Sequence, residues 1–364
     1  MPNRQPLLEV LIPTFNRPGH AARAIESCLA VDDSRLVITC NSNGFDSSLE
    51  RYRSFSPRLK YSYFEKNLGA VVNLRHLLLR ASARFVMFLS DEDSLVEDGA
   101  SRFLNALESL DANIGVVSSS IYDDEKRDFY YRPKLLHGRS LGLNGYLMAS
   151  EPLPSYLSGL TLRRNSFDST LISHCFDDLP QNVYPHLELI FGILDQGSRV
   201  AWIDLKTVVK GPEAKQGGDS HAHLSGDRDH SSVSNQNLNL NPLIYGPSAR
   251  ALQFLRRQSV LGALKTAGSF PLFKARLFSL QWYARAIVCS GNVVIISGGK
   301  SPVAIAVEAI NQCQLSRESD SLWPSRMIAL LDSPRPVRRL LMRFISLFNR
   351  CVARLSMVFI PVRL

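Results

Sequence analysis

Long apolar runs are missing from this 364-residue chain. No stretch of about 18 residues, the length a bilayer-crossing helix needs, is both apolar and uncharged. Cysteine is sparse. The six (Cys28, Cys40, Cys175, Cys289, Cys313 and Cys351) are scattered with no Cys-x-x-Cys pair. That excludes a disulfide scaffold or zinc ribbon and fits reduced thiols in a cytosolic setting. Residues 1–6 lack the apolar core of a signal peptide. Glycine-rich signatures are absent as well. The first apolar segment leads into Pro13-Thr14-Phe15-Asn16-Arg17, not Gly-x-Gly-x-x-Gly, and no P-loop, Gly-x-Ser-x-Gly or His-Glu-x-x-His occurs. A Rossmann dehydrogenase, an NTPase, a serine hydrolase and a sugar nucleotidyltransferase are therefore disfavoured. Acid is missing from one region only. Residues 333–364 hold seven arginines and no Asp or Glu, which leaves +2 of the +9 formal charge for the rest. The body thus has neither the excess charge nor the stacking groove that nucleic acid binding wants.

What is present reads as an ordinary globular chain, 45% hydrophobic and 21% charged, with room for one large domain or two. Residues 7–12 form a short apolar strand that Pro13 ends. Residues 20–30 show helical spacing, with Ala21, Ala24, Ile25, Cys28 and Leu29 on one face. A strand over 36–39 ends in the turn-rich Asn41-Ser42-Asn43-Gly44, residues 48–55 are helical, and 60–64 alternate as a third strand. Asn67-Leu68-Gly69 opens a helix, and a fourth strand follows over 85–89. Strand alternating with helix argues a mostly parallel sheet with helices on both faces. In such sheets ligands sit at the carboxyl ends of the strands. There the polar residues gather: Thr14 and Asn16, then Asn41, then Asn67 and Gly69, then Asp91, Glu92 and Asp93.

The acidic triplet is the centre of this pattern. A buried strand that ends in clustered carboxylates repels itself unless a cation sits there. Oxygen ligands of this kind suit Mg²⁺ or Mn²⁺, which can also hold a substrate diphosphate. The bland alternative is a polar turn before a helix, with Asp93 or Ser94 as the N-cap.

The ordered set Val10-Leu11-Ile12-Pro13-Thr14-Phe15-Asn16-Arg17, Asn67-x-Gly69 with Asn73, and Phe88-Leu89-Ser90-Asp91-Glu92-Asp93 resembles glycosyltransferase family 2 over roughly residues 7 to 100. In detail it is similar to bacterial enzymes of O-antigen and surface-polysaccharide assembly, the abequosyltransferase-like group among them. The resemblance implies a GT-A fold and a nucleotide-sugar donor. Pro13, Thr14, Asn16, Arg17, Asn41, Asn67, Gly69, Asn73, Asp91 and Glu92 would line the donor. Asp93, with Asp91, would hold the metal, and the central Glu92 would point away from it. Cys40-Asn41 stands where the family usually carries an acid for the base. Asn41 could still accept a hydrogen bond through its amide oxygen.

The second half offers less. A strand spans 116–121, residues 122–132 form a hairpin or loop, and 156–164 resemble the family's acceptor-side strand, where a glycine backs the sugar. A helix led by Tyr184-Pro185-His186-Leu187-Glu188 runs to Gly197, and 199–203 is a strand. By the resemblance the catalytic base falls near the start of that helix. His186, whose ordinary pKa suits proton abstraction, is the first candidate, with Glu188 or an acid such as Asp178 as alternatives.

The expected organisation is a catalytic domain over 1–210, a polar lid-like loop over 211–247, a helical appendage over 248–332 and a basic amphipathic helix over 333–364. His221 and His223 in the loop could complete a metal shell. The terminal helix interleaves Leu340, Phe344, Leu347 and Phe348 with Arg339, Arg343, Arg350 and Arg354, which suits an anionic membrane surface. The resulting expectation is an inverting, metal-dependent transferase that takes a nucleotide-sugar donor and a lipid-linked saccharide acceptor, at the inner face of the cell membrane. The alternative is a catalytically weak binding or scaffold protein of the same fold.

Overall fold

The computed structural model describes residues 5–133, 137–143, 156–176 and 185–211, together with Leu340 and Leu347. The side chains of Leu187, Glu188 and Phe191 are not among what is described. Residues 212–247, the 248–332 appendage and most of 333–364 lie outside the described residues, and so do Asp178, His221 and His223.

The first half alternates strand and helix as expected: β1 (Leu8–Thr14), α1 (Pro18–Ala30), β2 (Leu36–Ser42), a 3₁₀ turn (Ser47–Ser54), β3 (Leu59–Tyr63), α2 (Ala70–Arg80) and β4 (Phe85–Phe88). Then come β5 (Ser94–Leu95), α3 (Glu97–Glu108), β6 (Ile114–Asp123), β7 (Asp128–Tyr131), β8 (Ser140–Leu141), β9 (Leu160–Arg163), α4 (Ser169–Phe176), α5 (Pro185–Asp195) and β10 (Arg199–Lys210). The strands form one sheet in the order β3-β2-β1-β4-β9-β6-β10-β5, with β7 on β6 and β8 on β10. β3, β2, β1 and β4 run parallel, and so do β6 and β10. β9 enters antiparallel between β4 and β6.

Apolar residues cover both faces of the sheet. Leu11, Val86 and Phe88 pack with α2, α4 and α5 on one side. Val10, Ile12, Phe85 and Met87 pack with α1 and α3 on the other. A strand buried on both faces needs a continuous apolar run, which is why 7–12 and 85–89 read so clearly. Cys28, Cys40 and Cys175 are thiols buried in these cores, and burial pushes the Cys28 thiol up to about 12.

Two boundaries differ from the sequence reading, each for a physical reason. β1 does not stop at Pro13, which pairs in register with Asn41 of β2. Leu11 turns its carbonyl to the β4 side, where it accepts from the Leu89 amide. Pro13, two residues on, directs its missing N–H to that same side, but β4 has already ended there, so no ladder bond is lost. The acidic turn also does not cap a helix with Asp93 or Ser94. Ser94–Leu95 instead pairs antiparallel with Val208 and Val209 of β10, and α3 starts only at Glu97.

Two buried ions hold the halves. Glu9 of β1 accepts from the Thr39 hydroxyl at 2.6 Å and from the Ser82 and Ala83 amides at 2.8 and 3.2 Å. Arg163 of β9 donates to the Ile114 and Asp111 carbonyls at 2.6 and 2.7 Å and lies 4.5 Å over the Phe85 ring.

Candidate active site

β1 and β4 end side by side, so the segments that leave them meet. Asn16 takes a left-handed conformation, φ 51°, which Asn tolerates better than bulkier residues. That bend sets Arg17 beside the acidic turn. The Thr14 hydroxyl donates to Asp91 Oδ2 at 2.7 Å. Arg17 Nη1 approaches Asp91 Oδ1 at 3.5 Å and pairs closely with Glu92. Glu92 is thus turned toward Arg17, and Asn16 itself is exposed. Asp91 is buried. Burial raises its pKa above the ordinary carboxylate range, against the lowering effects of Arg17 and Thr14.

Asp93, 0% exposed, is held by a different set. Ser158 Oγ donates to its Oδ2 at 2.6 Å, and the Tyr156 hydroxyl and the Gly211 amide donate to Oδ1 at 2.7 and 3.0 Å. The Ser90 amide in turn donates to Ser158 Oγ at 2.9 Å. Gly211 belongs here because it follows β10, whose pairing with β5 brings it against the turn. A Cβ there would lie 1.8 Å from the Glu92 carbonyl oxygen. Gly159, φ +83°, lets the chain leave β9 sharply and carry Ser158 and Tyr156 back over Asp93. Burial raises the Asp93 pKa above the ordinary range, and the Ser158, Gly211 and Tyr156 hydrogen bonds offset only part of this.

The structure brings Pro13, Thr14, Arg17, Asp91, Glu92 and Asp93 together at one edge. The asparagines form a separate braid beside it. Asn41 donates to Asn73 Oδ1 at 2.9 Å and accepts from Ser62 Oγ at 2.6 Å, while Asn73 Nδ2 donates to the Asn41 carbonyl at 3.0 Å. Asn43 donates to Asn67 Oδ1 at 2.6 Å, and the Gly69 amide donates to the same oxygen at 2.9 Å. Asn41 and Asn73 are buried with their amides engaged inside the protein, so they pin β2 to α2. Gly69, φ 92°, caps α2.

His186 is buried in the first turn of α5. The hydrogen bonds given above for Asp91 and Asp93 come from other residues. Glu188 lies on the same helix, with its side chain outside the description. Tyr156, Ser158 and Gly211 are the site residues that sequence reasoning missed. Tyr156 and Ser158 lay in a stretch already marked as acceptor-side, but nothing in the sequence tied them to Asp93. Only the Gly following a long strand could have flagged residue 211.

The donor set bears on a divalent cation. Two carboxylate oxygens offer about four lone-pair sites, and Asp93 uses three. The three bonds given above leave one such site open on the buried carboxylate. That fits a hard cation with oxygen ligands. Among the described residues no three His, Cys, Asp or Glu side chains converge to complete such a shell.

Residues 9–171 match the family model described as Glycosyl transferase family 2. A curated relative, "Putative teichuronic acid biosynthesis glycosyltransferase TuaG" of Bacillus subtilis (strain 168), is 31% identical over 104 residues. The match covers 27% of this chain and spans 40% of the relative's length. Among solved structures, S. aureus TarS 1-349 in complex with UDP-GlcNAc aligns with a TM-score of 0.57 at 14% identity, covering 96% of this chain and 90% of that one. A second structure of S. aureus TarS gives 0.53 at 14% identity, covering 96% and 55%. At that identity the likeness is one of fold, and it agrees with the mixed, mostly parallel, helix-flanked sheet described above.

Proposed function

We propose that this chain, which belongs to glycosyl transferase family 2 through residues 9–171, moves a sugar from a nucleotide-sugar donor to a saccharide acceptor in bacterial surface-polysaccharide synthesis. The observation that carries this reading is the buried Asp91–Asp93 turn, bordered by Thr14 and Arg17 from the neighbouring strand end. It puts negative charge and one guanidinium at the edge where α/β sheets bind ligands.

In this reading Asp93, with Asp91, would hold Mn²⁺ or Mg²⁺, which would supply positive charge to offset that of the departing nucleoside diphosphate. Thr14 fixes the Asp91 carboxylate by its 2.7 Å bond. Arg17 stands where it can meet a phosphate oxygen, since a guanidinium suits phosphate as well as carboxylate. Tyr156 and Ser158 keep the Asp93 carboxylate oriented from the acceptor side. A base deprotonates the acceptor hydroxyl for direct attack at the anomeric carbon, with inversion. His186 is the candidate for that role, and Glu188 is the second.

A lipid-linked acceptor suits the basic C-terminal segment. Leu340 and Leu347 are helical and 71% and 55% exposed. Their seven-residue spacing in the sequence is that of one face of a helical pattern. Each flanking arginine near an anionic surface contributes about 1 kcal/mol. No helix among the described residues is long and apolar enough to cross a membrane.

The test is sugar transfer from radiolabelled nucleotide sugars to membrane extracts or to water. Turnover that chelation abolishes and Mn²⁺ restores supports the reading. Undiminished turnover in excess chelator would remove the metal from it. Retained turnover in His186→Ala would remove His186. Co-sedimentation with anionic vesicles, lost when residues 333–364 are deleted, tests the membrane arm.

A further inference from the structure

The hairpin β6–β7 carries an aromatic side chain that packing does not explain. Side chains alternate along a strand. In β7, Phe129 and Tyr131 are half-buried, and Tyr131 packs against both cores. Tyr130 points the other way and is 46% exposed. Its ring is not adrift, however. It lies 5.1 Å from the Tyr156 ring, and Lys210 Nζ sits 5.4 Å from its centroid. Tyr156 is the residue whose hydroxyl donates to Asp93. An exposed ring is thus braced, through one neighbouring ring tilted at 52° to it, against the carboxylate at the centre of the proposed site.

The topology explains why the two tyrosines meet. β9 pairs with β6 only as far as Leu160 opposite Ser118. Beyond that point β6 continues, and Ile121, Tyr122 and Asp123 pair with β7. Gly159 turns the preceding residues across the gap, and its carbonyl accepts from the Ser119 amide at 3.0 Å. Tyr156 therefore arrives beside Tyr130 on one side and above Asp93 on the other. The hairpin is braced by further ring contacts. Tyr122 and Phe129 meet edge to face at 5.3 Å, and Lys206 Nζ lies 3.7 Å over Tyr122.

We infer that Tyr130 and Tyr156 form a stacking platform for a pyranose ring of the acceptor, next to the donor carboxylates. This rests on the transferase reading and assigns the acceptor side of the same site. Aromatic faces carry partial negative charge, and the C–H faces of a sugar ring are weakly positive, so a pyranose lies flat on such a wall. Rings are rigid and lose little entropy on binding, which favours them as contact surfaces. Lys210 and the Tyr156–Asp93 bond hold the rings before any ligand arrives. A sugar on Tyr130 would extend toward Asp93 and present a hydroxyl to the donor's anomeric carbon.

The experiment uses the full chain with Mn²⁺ and either UDP or GDP, mixed with methyl hexopyranosides and short hexose oligosaccharides. NMR reads the saturation transferred from irradiated protein aromatic protons to sugar C–H protons. Wild type and Tyr130→Phe should both transfer saturation. Tyr130→Ala should weaken apparent sugar affinity about tenfold with an unchanged melting temperature, because the ring is half exposed and buries little. Equal transfer in Tyr130→Ala overturns the platform, and so does the absence of transfer to any sugar in wild type. Donor binding is read separately, as the rise in melting temperature with nucleotide sugars. A missing rise counts against the transferase reading, whereas the sugar signal reports on the platform.

Discussion

Asp91 and Asp93 stand two residues apart, yet different halves of the chain hold them. Asp91 is gripped by Thr14 and Arg17, which leave the neighbouring parallel strand. Asp93 is gripped by Tyr156, Ser158 and Gly211, which arrive through an inserted antiparallel strand and the far end of β10. The first grip includes a cation, and the second consists of neutral donors alone. The difference separates two tasks at one turn. Asp91 has its charge partly met by Arg17, while the donors described on Asp93 are neutral, which is the difference that the proposed cation site relies on.

The sharpest way to break this comparison is to remove each carboxylate in turn. Asp93→Ala should lower sugar transfer by on the order of a thousandfold, since several kcal/mol of charge stabilisation go with the metal. Asp91→Ala should cost less, because Arg17 remains to meet a phosphate. Equal losses in a single-turnover assay would erase the distinction.

The halves can also be loosened separately. Glu9→Leu strands two backbone amides beside β1, and Arg163→Leu strands three carbonyls beside β9. Each should lower stability by about 3 kcal/mol, the penalty for several unmet buried groups, as read from urea midpoints. Arg163 is the stricter test. Burial already depresses its pKa, so a hydrophobic replacement that proves stabilising would show that desolvation outweighs its hydrogen bonds.

Ser158→Ala probes the join between the halves. It removes a donor to Asp93 and an acceptor from the Ser90 amide. Loss of such an orienting bond typically weakens metal affinity about 10–100-fold, measurable by Mn²⁺ titration. An unchanged Mn²⁺ affinity would mean that the segment entering β9 does not tune the site.

The smallest effect concerns pH. Asp91 and Asp93 both have folded-state pKa values raised by burial. The stability they contribute is fully present below their ordinary range and is lost as pH rises through the raised folded values. A bound divalent cation reverses that loss, so the Mn²⁺-induced rise in melting temperature should grow as pH climbs through this window. It should stay flat in Asp93→Ala. Calorimetry at stepped pH reads both.

The parallel half was legible in the sequence because its strands are buried on both faces and its polar residues sit at strand ends. Leu8–Thr14 and Phe85–Phe88 announce themselves by continuous apolar runs, and Thr14, Arg17 and Asp91 fall just past or at their ends. The roles of the asparagines were less legible. Asn41 and Asn73 share one spatial address, but only the packing of α2 on β2 shows that they bond each other. The partners of Asp93 were not legible at all. They lie 63, 65 and 118 residues away in the chain and reach it through β9 and β10, whose order in the sheet no local pattern encodes.

The account's central claim is that the Asp91–Asp93 turn binds a nucleotide sugar through a divalent cation. A melting-temperature screen of nucleotide sugars, with and without Mn²⁺, tests it most directly, because a ligand that binds the folded state stabilises it by mass action. The account predicts a rise for at least one nucleotide sugar that requires Mn²⁺ and disappears in Asp93→Ala. A rise of the same size in Asp93→Ala, or without any divalent ion, would contradict it.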